Sequence, residues 1–108
     1  MTAELEYVAV AGLDELPKGE RLFLEVDGKP IVVLNIGGNF FAIGDLCTHD
    51  NGPLGEGELD GHAIICPRHG ARFDVKTGKA LSLPAVTPTP SYPVRVQDGM
   101  IEIGLPIE

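Results

Sequence analysis

Apolar and polar residues alternate over short runs separated by tight-turn dipeptides, and no stretch of ten or more residues carries an apolar period of 3.6. Arg21 to Val26 places Leu22, Leu24 and Val26 on one face, the period-two signature of a strand buried on one side. Ile31 to Leu34 and Phe40 to Ile43 are nearly continuous apolar runs, as strands covered on both faces would be. Tyr7 to Val10 predicts a first strand, and Val94 and Val96 pair naturally across a turn with Ile101 and Ile103. Asp27-Gly28, Gly37-Gly38, Asp60-Gly61 and Asp98-Gly99 allow the positive φ that two-residue hairpin turns require. Only Leu13 to Leu16, just before Pro17, predicts a turn of helix. The pattern predicts an all-β fold, an antiparallel sandwich or small barrel of about 8–10 short strands.

Two segments break the hairpin rhythm. Asp45 to Gly57 is a polar, glycine-rich loop, and Leu83 to Pro93 carries four prolines that hold it extended, without helix or central strand. Long ordered loops in a small domain are often functional. The length of 108 residues fits one domain, and 14 glycines and 9 prolines agree with many turns.

Charge narrows the partners. Sixteen acidic against eight basic side chains give a net charge of −8, which argues against nucleic acid and anionic membrane surfaces. It is compatible with a basic protein partner, and equally with solubility alone. No apolar run approaches the roughly 18 residues that span a bilayer. The first ten residues carry two glutamates and no basic residue, so they do not read as a secretory signal. The expectation is a cytoplasmic protein with reduced thiols.

Those thiols carry the chemistry. Both cysteines and two of the three histidines form one pattern: Cys47-x-His49, sixteen residues, then Cys66-x-x-His69. The runs Phe40 to Cys47 and His62 to Cys66 each deliver one pair, so two loop tips can face each other at one end of a sheet. A Cys47–Cys66 disulfide would leave both histidines unexplained. A catalytic thiol needs one cysteine, one histidine and an orienting group, and has no use for the pair twice. A zinc site of two cysteines and two histidines uses these ligand types but usually groups the cysteines at a spacing of two to four, and Cys47-x-His49 is a cramped bite on one small ion. In a two-iron cluster each loop gives its cysteine to one iron and its histidine to the other, so the same alternation recurs in both loops. A cluster with both cysteines on one iron and both histidines on the other is a Rieske centre.

The pattern, with Gly52-Pro53 in the first loop, Cys66-Pro67 opening the second and His69-Gly70 closing it, resembles the Rieske family. It is most similar to the small Rieske ferredoxins of bacterial multicomponent, ring-hydroxylating oxygenases. The resemblance implies one Rieske domain over residues 1–108, with a small cluster-binding subdomain at about 45–83 and a proline-rich loop at 84–93 packed over the cluster. It implies one [2Fe–2S] cluster held by Cys47, His49, Cys66 and His69, the histidines on the solvent-facing iron through ring nitrogens. It implies a one-electron carrier rather than an enzyme, with transient partners: a flavoprotein reductase using NAD(P)H, and a terminal oxygenase or similar acceptor. The alternatives are a permanently bound Rieske-like subunit of a nitrite reductase or other redox complex and, in another class, a zinc-stabilised interaction module.

The sequence departs from the respiratory members of that family. Their interloop disulfide positions are Gly52 and Arg68 here, and their serine and tyrosine hydroxyl donors to the cluster sulfurs are Ala71 and Phe73. A hydrogen bond to a charged group contributes about 1.5–3 kcal/mol, or roughly 65–130 mV for one electron. Two missing donors and an acidic chain predict a potential below about 0 mV, near −150 mV. Asp50 is a candidate tuner of the potential and a partner for Arg68, His62 reads as an exposed strand-end residue, and Phe73 as packing beneath the second loop.

Overall fold

The computed structural model describes residues 4–48 and 52–106. Among the described residues, ten strands run in the order β1 (Leu5–Gly12), β2 (Arg21–Val26), β3 (Lys29–Ile36), β4 (Asn39–Gly44), β5 (Leu59–Asp60), β6 (Ala63–Ile65), β7 (Arg72–Asp74), β8 (Ser91–Tyr92), β9 (Val94–Gln97) and β10 (Met100–Pro106). A 3-10 turn at Leu13–Glu15 stands where a turn of helix was expected. Strand pairing is antiparallel throughout, in three sheets ordered β1-β10-β9, β2-β3-β4-β8 and β5-β6-β7.

The four-stranded sheet is the middle layer. On one face Ile31, Val33 and Ala42 pack with Ala11, Ile101, Ile103 and Leu105 of the β1-β10-β9 sheet. On the other, Val32, Leu34 and Ile43 pack with Cys47, Leu54, Ile64, Cys66, Ala71, Phe73 and Val75. Alternate residues of β3 therefore enter two different cores, and this is the physical reason for its unbroken apolar run. Asn35, the one polar side chain buried within β3, is satisfied: its amide nitrogen donates to the Leu16 carbonyl at 2.8 Å, and its oxygen accepts from the Gly38 N–H at 2.9 Å.

Three of the predicted hairpins close as expected. Asp27-Gly28, Gly37-Gly38 and Asp98-Gly99 all have positive φ at both central positions, and Val96 and Val94 face Ile101 and Ile103 in register. The fourth is shifted by one residue. Asp60 pairs with Ala63, so the loop is Gly61-His62, with glycine (φ 61°) first, the arrangement of a type II′ turn. The first strand is longer than Tyr7 to Val10, because its ladder with β10 continues past an irregularity between Ala9 and Ala11 that breaks the alternation.

The proline-rich stretch is extended and contains only the two-residue edge strand β8. It is tied down between Thr87 and Pro90. The Thr89 N–H donates to the Gly78 carbonyl (2.9 Å), the Gly44 N–H to the Pro90 carbonyl (2.8 Å), and the Thr48 hydroxyl to the Thr87 carbonyl (2.5 Å). Gly78 has φ 79°, and a β-carbon there would lie 2.0 Å from the Thr89 carbonyl oxygen. Gly78→Ala is expected to cost about 1–2 kcal/mol for the left-handed backbone and about 1–3 kcal/mol for overpacking. Urea unfolding checks this; an unchanged midpoint would contradict the close approach.

Candidate metal centre

The two ligand loops are built alike. The first leaves β4 and begins at Cys47; the second leaves β6 and begins at Cys66. The Cys47 N–H donates to the Gly52 carbonyl (2.8 Å), and the Cys66 N–H donates to the Ala71 carbonyl (2.7 Å). Each cysteine thus closes its own loop onto the residue five positions on. In the second loop the Gly70 N–H also returns to the Cys66 carbonyl at 3.0 Å, with Gly70 at φ 74°. Glycine adopts that conformation without steric cost.

The donors divide by burial. Cys47 and Cys66 are 0% and 1% exposed, belong to one apolar cluster and form no disulfide. His69 is exposed at the tip of the second loop. His49 and Asp50 lie outside the described residues, and with them the predicted Asp50–Arg68 pair. His62 is exposed in the β5–β6 turn, its ring edge-on to Phe41 at a centroid distance of 5.5 Å. Ala71 and Phe73 are both completely buried in the cluster that holds the cysteines, so hydrocarbon stands at both positions that carry hydroxyl donors in respiratory relatives.

Between the ligand loops lies a connection that sequence reading missed. Residues 54–57 are seated on the β2–β3 hairpin, where a β-carbon on Gly55 would meet Phe23 at 2.6 Å and Val32 at 3.0 Å. Asp45 Oδ1 accepts from the Leu54 and Gly55 N–H groups at 2.9 and 2.6 Å. Arg21 Nη1 donates to the Gly55 and Gly57 carbonyls at 2.5 and 2.6 Å. Gly57 in turn lies against the β6 backbone, since a β-carbon there would fall 1.8 Å from the Ile65 carbonyl oxygen.

The donor set fits a Rieske cluster. Two sulfurs are sequestered in hydrocarbon, an imidazole lies on the solvent side, and each cysteine N–H returns to the carbonyl five positions on, a donor set of the kind that a Rieske cluster takes. The Rieske [2Fe-2S] domain model matches residues 6–93. The ferredoxin subunit of 3-phenylpropionate/cinnamic acid dioxygenase from Escherichia coli is 48% identical over 94 residues, 85% of this chain and 87% of that one. The ferredoxin of carbazole 1,9a-dioxygenase from Nocardioides aromaticivorans superposes with TM-score 0.83 at 37% identity, over 90% of this chain and 95% of that one. A chain of the complex of reduced oxygenase and oxidized ferredoxin in carbazole 1,9a-dioxygenase superposes with TM-score 0.82 at 34% identity, over 90% and 91%.

Fold and loops together define an iron–sulfur electron-transfer protein. The chain belongs to the Rieske [2Fe–2S] family, and its cofactor is one Rieske-type [2Fe–2S] cluster. It is an electron carrier, not a catalyst of substrate conversion. No helix among the described residues is long and apolar enough to cross a membrane.

Proposed function

We propose that this chain is a cytoplasmic ferredoxin component of an oxygenase system, carrying one electron at a time from an NAD(P)H-dependent flavoprotein reductase to a terminal oxygenase. Cys47 and Cys66 hold one iron through Sγ, and His49 and His69 hold the other through ring nitrogens. The single observation that carries the assignment is the pair of matched loops, each closed by its cysteine N–H, with both sulfurs in one buried cluster. The partners follow from the relatives: the E. coli protein is named a dioxygenase ferredoxin subunit, and a similar ferredoxin is known in complex with an oxygenase.

When bound, the cluster takes up and releases a single electron. The protein's own residues set where that electron leaves and what surrounds it. Leu54, Ile64, Ala71 and Phe73 keep water from the sulfurs. Exposure of His69 puts one ligand at the surface, which shortens the path to a partner. Residues 45–83 form the cluster-binding unit of a single domain, and the stretch 84–93, anchored to Thr48 and Gly78, covers it.

Anaerobic mixing with NADH and a ferredoxin-reducing flavoprotein is expected to bleach the visible absorbance by one electron per chain, and oxidised terminal oxygenase is expected to restore it. The protein should elute alone from a gel-filtration column run with either partner at micromolar concentration. Co-elution at fixed stoichiometry would favour a permanent subunit of another redox complex, and a colourless, zinc-containing protein would remove electron transfer altogether.

A further inference from the structure

Asp45 is placed to join the two ligand loops. Its backbone leads in two residues to Cys47, while its side chain holds the N–H groups of Leu54 and Gly55. Arg21, from the middle sheet, holds the carbonyls of Gly55 and Gly57 on the same segment. That segment is in turn fixed to the strand that ends at Cys66. Gly57 permits no side chain against the Ile65 carbonyl, and the Ile65 N–H donates to the Glu58 carbonyl at 2.9 Å. A carboxylate that accepts from two N–H groups and a guanidinium that donates to two carbonyls leave residues 54–57 little freedom, because together they hold four of that segment's backbone groups. The hairpin surface beneath, Phe23 and Val32, leaves no room for Gly55 to move inward.

We propose that Arg21 and Asp45 are positioning residues that fix the distance between the Cys47 and Cys66 loops, and so set how firmly the chain holds its cluster. This rests on the Rieske reading above. Neither residue is a ligand. They act as outer-shell partners do elsewhere, where their loss typically lowers metal affinity or activity about 10–100-fold. The role is geometric rather than electrostatic: what matters is that Asp45 Oδ1 accepts and Arg21 Nη1 donates.

The test uses the cluster-loaded protein and four variants: Asp45→Ala, Asp45→Asn, Arg21→Met and Arg21→Lys. Iron per chain, the rate of absorbance loss in excess EDTA and the EPR line shape of the reduced cluster are read on each, with far-UV circular dichroism as a check on the fold. Asp45→Ala and Arg21→Met are expected to lose the cluster at least about tenfold faster and to broaden the EPR signal. Asp45→Asn keeps an acceptor oxygen and should remain within about threefold of the parent, a rescue that a role for charge would not allow. Arg21→Lys keeps the charge without the planar fork and should fall between the parent and Arg21→Met. Parental rates and line shape in both Asp45→Ala and Arg21→Met would overturn the proposal, as would Asp45→Asn failing as fast as Asp45→Ala. Should Asp45→Ala or Arg21→Met not fold, Asp45→Asn and Arg21→Lys decide: a parental rate in Arg21→Lys overturns it. A parent protein without iron would defeat the Rieske reading itself; a parent with two irons and indifferent variants would defeat only the positioning role.

Discussion

Replacing Cys66 with serine is expected to abolish the red-brown colour and reduce iron from two per chain to below about 0.2, because the loop loses the thiolate that Fe–S clusters require. Cys47→Ser should do the same. Both sulfurs are buried in one apolar cluster, so no neighbouring side chain among the described residues can replace either as a sulfur donor. Two of the three histidines should then separate by role. His62 lies in the β5–β6 turn against Phe41, and His62→Ala should keep its full iron content. His69 is exposed on the second ligand loop, and His69→Ala should lose the Rieske EPR signal. Iron analysis alongside visible spectra checks all four variants. A His62→Ala protein without iron, or a Cys66→Ser protein with two, would mean that the ligand set has been misassigned.

The second large effect is on reduction potential. Ala71→Ser and Phe73→Tyr restore the hydroxyls that respiratory relatives place near the cluster sulfurs. Reduction adds an electron to the cluster and makes its sulfurs better acceptors, so a donor to sulfur stabilises the reduced state more and raises the potential. Each substitution is expected to raise it by roughly 65–130 mV, taking about 1.5–3 kcal/mol for a hydrogen bond to a charged group. The parent should titrate below about 0 mV and the double variant should move toward the upper part of the family's range of about −150 to +300 mV. Both positions are completely buried beside the cysteines, so a hydroxyl introduced there has little water to turn to and a strong incentive to find sulfur. Protein-film voltammetry gives the result directly. A fall in potential, or no change in the double variant, would show that the hydroxyls do not reach the cluster.

The sequence revealed the fold where side-chain period and turn chemistry act locally. The β2–β3 and β9–β10 hairpins follow from alternation plus Asp-Gly, because such turns need only two residues with positive φ. The continuous run of β3 correctly announced burial on both faces, but not what lay on the second face. That layer is the β5-β6-β7 sheet, whose strands of two and three residues are too short to display any period. The same shortness displaced the Asp60-Gly61 turn by one position, since nothing outside the turn itself fixed the register.

At the site, spacing alone singled out Cys47, His49, Cys66 and His69 as one candidate ligand set, because metal ligands are rare residue types whose separation has direct geometric meaning. The packing of Phe73 beneath the second loop was legible for the same reason, as a position counted from the ligands; the burial of Ala71 was not. The contacts of Arg21 and Asp45 were not. They run to backbone N–H and carbonyl groups of residues up to 36 positions away, and a backbone partner leaves no mark in the sequence. Gly55 and Gly57 offered the only trace, glycines in a loop where the structure shows that close packing, rather than positive φ, requires them.

The most direct test of the central claim is an EPR spectrum of the dithionite-reduced protein, with iron and zinc counted on the same sample. A rhombic signal with an average g below the free-electron value, together with two irons per chain, is the expected result for a cluster held by two cysteines and two histidines. An EPR-silent protein with one zinc and no iron would contradict it, and would make the four residues a structural metal site with no part in electron transfer.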